Sequence, residues 1–387
     1  MIEEARASAC FERGNGALKR RSTGLTALVA VGVLAIAGCS ATGPTASSGG
    51  NASGGASSGA SGGASKAAPA KRACVILPDA VSSGRWENGD RQALKKSFTT
   101  AGVTPDIQNA QNDTGKFATI AQQQLTKGCS VMLLVNLNGA AEQVIRKAHS
   151  QGVPVIAYDR PAEGADYYVS FDNFHVGELQ GQMIVDGLKA KGKDPKTAKV
   201  VYVPGDPTDG NAKQFLDGAN SVMSKAGIKP VFKTAGTWAP DKAQTYFEQA
   251  YTAQKGDIDA VWAANDANAS SVISVLNKNG KTVVIEGQDG QVSGLQYILL
   301  GKQFGTVYKP FQLEADAASK LAIDITAGKT PTFAKKDTFG VPFQALTPIV
   351  ITKKNVQEAL DKGAAKYSDV CSGDVKAACA QLGIKAP

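Results

Sequence analysis

Histidine is almost absent from this chain of 387 residues: His149 and His175 are the only two. Neither sits near a cysteine pair, so a metal centre built on His and Cys ligands is not expected, and a histidine general base has little material to draw on. Beyond residue 70 no Gly-x-Ser-x-Gly elbow is present, which removes the usual serine-nucleophile arrangement. Gly205-Asp-Pro-Thr-Asp-Gly210 lacks the Gly-Lys-Ser/Thr ending of a phosphate loop. Asp209-Gly-Asn211 lacks the alternating acidic series and distal Glu of a calcium loop. Aromatic residues make up 6%, with three Trp. No basic stripe is interleaved with aromatics, so nucleic acid is not an expected partner. Beyond residue 38 no apolar run is long enough to cross a membrane.

What is present begins at the N-terminus. A basic cluster, Lys19-Arg20-Arg21, precedes a 13-residue apolar run from Leu25 to Ala37. That order reads as an export signal, and the run is too short to span a bilayer comfortably. Ala37-Gly38-Cys39 then looks like a lipobox, which implies cleavage after residue 38 and a lipid anchor on Cys39; the plainer alternative is a secretory signal with an incidental Cys. Ser40 to Ala70 is almost wholly Ser, Gly, Ala and Thr. Such a chain buries too little surface to offset its ordering entropy. Its 31 residues would span about 30 Å as a coil, enough to hold a folded domain off a membrane. Removing residues 1–38 takes five basic and three acidic residues from a net charge of +8 and leaves +6, spread along the chain.

Six Cys sort by position. Cys10 leaves with the signal and Cys39 is the lipidation candidate. Cys74, Cys129, Cys371 and Cys379 remain, an even number in an oxidising compartment. Cys371 and Cys379 lie close together in a short tail and are expected to pair. Cys74 opens one apolar run and Cys129 precedes another, so these two could join neighbouring strands.

From Ala73 onward the pattern alternates. Short continuous apolar runs recur at Cys74–Leu77, Val131–Val135, Val153–Tyr158, Val200–Val203, Ala260–Ala263 and Thr282–Ile285. Continuous apolar character suggests strands covered on both faces. Between them, Phe117, Ile120, Ala121 and Leu125, and again Val176, Leu179, Met183, Ile184 and Leu188, fall at helical spacing. Ala101-Gly-Val103, Lys127-Gly-Cys129, Gln151-Gly-Val153 and Ala226-Gly-Ile228 each place a Gly between a helix and the next strand. Strand–helix alternation implies βαβ units and parallel sheets. The 315 residues after the tether are long for one core and suggest two doubly wound αβα lobes.

Ligands of such sheets bind at the carboxyl ends of the strands. Those ends carry Arg85-Trp86, Asp159-Arg160, Asp209 and Asn211, Trp238, Asn265, Asp289 and Lys309. Asp, Asn and Arg can satisfy hydroxyls in pairs, and an aromatic plane suits the C–H face of a pyranose. The set points to a neutral, hydroxyl-rich ligand. Plainer readings stand beside it: Trp238 as a cap on a lobe core, Trp86 as a surface aromatic, Asp159-Arg160 as a structural ion pair. Asp206 and Asp209 could also suggest a glycosidase, although carboxylates belong in any sugar site.

In their order, Pro154-Val-Ile-Ala-Tyr-Asp-Arg160, Ser170-Phe-Asp-Asn173, Gly177-Glu-Leu-Gln180, Ala264-Asn-Asp-Ala267 and Gly287-Gln-Asp-Gly290 resemble the periplasmic sugar-binding proteins of ABC importers. The nearest likeness is to the xylose-binding members of the ribose/xylose cluster, through Arg85-Trp86, Tyr158-Asp-Arg160, Asn211-Ala-Lys213, Trp238, Gln288-Asp289 and Val307-Tyr-Lys-Pro310. The resemblance covers roughly residues 73–355. It implies a type I periplasmic binding protein fold: two α/β lobes joined by a three-stranded hinge with crossings near Phe171, Tyr308 and Ala345. The implied division is signal 1–38, lipidated Cys and tether 39–72, first lobe 73–171 and 309–345, and second lobe 172–308 and 346–387. It implies a monomeric, extracytoplasmic binding protein without cofactor or enzymatic activity. Its partners would be a monosaccharide, D-xylose foremost, and a membrane permease. Glucose or ribose as ligand, or a sensor role toward a membrane signalling protein, are the alternatives. By matching position, Arg85, Trp86, Asp159, Arg160 and Lys309 would grip the sugar from the first lobe, and Asp209, Asn211, Trp238, Asn265 and Asp289 from the second. Ser82-Ser83-Gly84 departs from the more charged pattern of the xylose-binding members. The tail from Val370 to Pro387 has no counterpart in that pattern. A repressor of related fold would need an N-terminal helix-turn-helix, where this chain has a lipobox and a tether.

Overall fold

The structure is a computed structural model that describes residues 71–387. The signal, Cys39 and the tether up to Ala70 lie outside the described residues. Among the described residues no helix is long and apolar enough to cross a membrane.

The continuous apolar runs form strands with both faces covered. In β1 (Arg72–Leu77), Cys74 and Ile76 enter one core cluster while Ala73, Val75 and Leu77 enter another. β1 begins at Arg72, two residues before the apolar run Cys74–Leu77, because backbone pairing with Thr104 needs no apolar side chain. A π-helical turn (Trp86–Asp90) leads into α1 (Arg91–Thr100), β2 (Thr104–Asn109), α2 (Thr114–Thr126), β3 (Val131–Leu134), α3 (Ala140–His149), β4 (Val155–Tyr158) and β5 (Tyr167–Phe171). The second set runs α4 (Asn173–Ala190), β6 (Val200–Val203), α5 (Gly210–Met223), β7 (Pro230–Lys233), α6 (Pro240–Ala253), β8 (Ala260–Ala263), α7 (Asp266–Lys278), β9 (Val284–Asp289), α8 (Val292–Leu299) and β10 (Gly305–Tyr308). The chain ends with α9 (Phe311–Thr326), β11 (Lys335–Lys336), β12 (Pro342–Leu346), β13 (Ile349–Thr352), α10 (Val356–Asp361), α11 (Tyr367–Val370) and α12 (Val375–Gln381).

Two sheets result. One has the order β11-β12-β5-β4-β3-β1-β2 and the other β13-β10-β9-β8-β6-β7, parallel throughout except for β11 and β13. Helices cover both faces of each, giving two α/β lobes. The chain passes from the first sheet to the second after β5, returns after β10 into α9, and crosses again between β12 and β13.

Two strands depart from the apolar pattern. β2, Thr-Pro-Asp-Ile-Gln-Asn, is polar, yet it pairs residue by residue with β1 at the sheet edge, where its Pro is tolerated. β9 starts at Val284 rather than Thr282 and continues through Gly287, Gln288 and Asp289, because β10 pairs with Glu286–Asp289. Asp289 is thus the last strand residue rather than one beyond it.

Two covalent bonds pin this frame. Cys74 and Cys129 are disulfide-bonded, tying β1 to the segment that enters β3, which pairs with β1. Gly128 supplies the left-handed turn (φ +85°) that brings Cys129 there. Cys371 and Cys379 are also bonded. They pack with Val370, Val375 and Ile384 against Leu295, Ile298 and Leu299 of α8, so the tail is part of the second lobe's core.

Candidate ligand-binding site

The carboxyl ends of the two sheets face one another across a cavity. All ten residues singled out in the sequence line it: Arg85, Trp86, Asp159, Arg160 and Lys309 with Asp209, Asn211, Trp238, Asn265 and Asp289. Ser82, Ser83, Phe215 and Gln288 complete the wall. About 30 Å³ of that cavity is open, well below the range of about 300 to 1,000 Å³ common for ligand pockets.

Local chain geometry aims these groups. Asp209 caps α5 by accepting from the backbone N–H of Asn211 (2.9 Å), and Asn265 caps α7 by accepting from that of Asn268 (2.9 Å). Asp159 (φ +61°) and Asp289 (φ +103°) both hold a backbone conformation that L-residues avoid, one at the end of β4 and one at the end of β9. Such strain persists only where surrounding structure enforces it, and it gathers at ligand sites. Trp238 donates through Nε1 to Asp209 (3.1 Å), and its ring lies where a Cβ on Gly205 would be, so only Gly fits there. Trp86 is 3% exposed and donates through Nε1 to Ser82 Oγ (3.2 Å), with the Arg85 guanidinium 4.7 Å from its ring centre.

The charges balance: Arg85, Arg160 and Lys309 against Asp159, Asp209 and Asp289. Arg160 pairs with Asp209 at 3.0 Å, and Lys309 with Asp289 at 3.3 Å and Asp159 at 3.9 Å. Burial disfavours the charge on Asp159, but Lys309, Arg85 and Arg160 outweigh it and hold the carboxyl below its usual range. Burial wins at Asp209, which is raised despite Arg160. Burial likewise opposes the Lys309 charge, yet Asp289 and Asp159 raise its pKa. A wall with three cations and three anions offers no net charge to a charged ligand. It offers donors and acceptors in equal measure to a neutral one.

Two further carboxylates, Asp90 and Glu314, had no signal in the sequence, being single acidic residues beside or within helices. Arg85 donates through Nε and Nη2 to Asp90 (2.8 and 2.7 Å), through Nη2 to Glu314 (2.5 Å) and through Nη1 to Asp159 (3.0 Å). Four of its five N–H groups are used, leaving one on Nη1. Burial opposes the charge on Arg85, but Asp90, Glu314 and Asp159 hold its pKa well above the ordinary value. Burial pushes Glu314 up to about 8, against the pull of Arg85.

The lobes also touch directly. Asn211 donates to the Asp159 carbonyl (2.9 Å), Asn265 to that of Ser82 (3.3 Å), Thr208 to Asn138 Oδ1 (2.7 Å), and Gln291 to Ser83 Oγ (3.3 Å). Asn211 and Asn265 therefore join the lobes as well as lining the cavity.

A family model described as a periplasmic binding protein domain matches residues 74–330. The chain belongs to the periplasmic binding protein family. It is a binding protein and not an enzyme. The D-xylose-binding periplasmic protein of Escherichia coli (strain K12) is 33% identical over 310 residues, covering 76% of this chain and 92% of that one. The multiple sugar-binding periplasmic receptor ChvE of Rhizobium radiobacter is 32% identical over 312 residues, 73% of this chain and 87% of that one. Among solved structures, an ABC transporter solute binding protein from Clostridium phytofermentans with bound β-D-glucose superposes with a TM-score of 0.70 at 26% identity, covering 78% of this chain and all of that one. A carbohydrate transporter solute binding protein from Chloroflexus aurantiacus in complex with D-glucose gives 0.69 at 25% identity, covering 77% and 98%. The periplasmic binding protein fold thus spans the described lobes, with the cavity between them.

Proposed function

We propose that this periplasmic binding protein captures a monosaccharide, D-xylose, by closing its lobes over it, and delivers it to the membrane permease of an ABC importer. The observation that carries the reading is the inter-lobe cavity that gathers two Trp, three cations and three carboxylates. In hinge closure of this kind the ligand bridges both lobes and so favours the closed form. Two relatives named for D-xylose, each 33% identical to this chain, support the choice of sugar. D-glucose is the second reading, favoured by the two solved relatives that hold it. A close-fitting pentose site would clash with the extra CH₂OH group of a hexose. Cys39 would tether the domain to the membrane as a lipoprotein, and the domain would act as a monomer.

Calorimetry against xylose, ribose, arabinose, glucose and galactose tests this. Xylose is expected to bind most tightly. No heat with any of the five would remove the sugar reading; tighter binding of glucose would remove only the choice of xylose.

A further inference from the structure

Among the described residues, buried amides are anchored, with one exception. Gln124, Asn173, Gln180, Asn268 and Gln303 each leave a carboxamide oxygen without a partner, yet each is held through its NH₂ group, for example Gln180 to Glu286 at 2.9 Å and Gln303 to Asp266 at 2.8 Å. Gln288 is 2% exposed, its oxygen has no partner, and no such anchor holds its NH₂ group among the described residues. Since neither end is bonded, exchanging the two ends leaves the amide equally unsatisfied.

Burying an unpartnered amide is costly, and the great majority of such groups in folded proteins find partners. Gln288 is the one residue with an unpartnered buried side-chain atom that also lines the inter-lobe cavity, among the described residues. It sits on β9 next to Asp289 and opposite Val307 of β10, and shares the cavity wall with Phe215 of α5. No protein group partners the oxygen, and the cavity is the space that the residue lines.

We propose that Gln288 contacts the ligand, its carboxamide accepting from and donating to hydroxyls of the bound sugar, and that it selects for a hydroxyl at that position. The proposal rests on the sugar reading of the cavity. The charged wall residues pair with one another, Arg160 with Asp209 and Lys309 with Asp289, so ligand hydroxyls must compete with ion pairs. Gln288 has no such competitor. An analogue lacking the hydroxyl it reads leaves the amide as unsatisfied as before binding, which is how a polar site rejects a deoxy-sugar.

The test uses the native protein, Gln288→Met and Gln288→Glu. The Glu variant keeps shape and an acceptor in case the Met variant does not fold. D-xylose and D-glucose, and their single-deoxy analogues, are titrated by calorimetry, with thermal unfolding recorded without sugar. We expect Gln288→Met to bind the better of the two sugars about 5- to 20-fold more weakly. Its sugar-free unfolding temperature should be equal to or above the native one, because an unsatisfied group has gone. One deoxy analogue should bind native and Met variant alike. Native affinity in both variants, or a sugar-free Met variant that unfolds at lower temperature with unchanged affinity, overturns the proposal by making the amide a structural group. Failure of the native protein to bind either sugar overturns the sugar reading itself, and this inference with it.

Discussion

Arg160 and Asp289 show how single side chains carry the account. Each follows or ends a strand, they belong to opposite lobes, and each already has an ion-pair partner across the cavity: Asp209 for Arg160 and Lys309 for Asp289. Truncating either to Ala should leave a ligand hydroxyl or a facing charge unmatched and weaken sugar binding about 10- to 100-fold. Circular dichroism should show both variants folded, and near-native affinity in both would place the site elsewhere. Glu314 makes a different prediction. Its carboxyl faces Arg85, Asp90, Asp159 and Lys309, and burial raises it to about 8, with Arg85 pulling the other way. In the unfolded chain it ionises near the ordinary value of about 4.3. The folded state therefore binds more protons between these values. The stability this group contributes is full below about pH 4.3 and is lost as pH rises through about 8. Glu314→Gln cannot ionise, so its unfolding temperature relative to the native protein should climb between pH 5 and pH 9, on the order of a few degrees. A difference that stays flat with pH contradicts the assignment. The ten lining residues were legible because strand ends can be read from where apolar runs stop. Asp90 and Glu314 were not, because only tertiary packing turns them toward Arg85. Phe215 lies in between: it stands four residues after Asn211, hence on the same helix face, a spacing the sequence does display.

At the level of elements, the two disulfides differ in what they hold. Cys74–Cys129 closes 55 residues and Cys371–Cys379 closes 8. Loop-closure entropy gives about 4 kcal/mol for the first and about 2.5 kcal/mol for the second. Replacing Cys74 and Cys129 together by Ala should lower the denaturation midpoint more than replacing Cys371 and Cys379. Cys74 and Cys379 are both fully buried, so both pairs will also lose packing. Equal or reversed losses in urea titrations would show that packing outweighs closure entropy. The strands expected from continuous apolar runs were readable because helices cover both faces, as the split of β1 between two core clusters shows. β2 and the second half of β9 were hidden, since their polar residues are held by backbone pairing to β1 and β10, which leaves no mark on composition. The unforeseen half of β9 carries Gln288 and Asp289, so what was missed there is the strand that holds them and not the residues themselves.

For the whole molecule, a tether would hold the domain in place while the lobes take the ligand. A lipid on Cys39 would keep the binding domain at the membrane, and Cys39→Ala should release it to the medium or leave an uncleaved precursor, seen by fractionation. Equal membrane association of a cleaved variant contradicts the anchor. The lobes meet through ion pairs and side-chain bonds around the cavity, and three chain crossings join them. Closure on a ligand that touches both sheets is the central claim. The most direct measurement is a crystal structure of the protein grown with D-xylose. The account predicts one sugar between Trp86 and Trp238, bonded to Arg160 from one lobe and Asp289 from the other. A sugar held by one lobe alone, or lying outside this cavity, would contradict it.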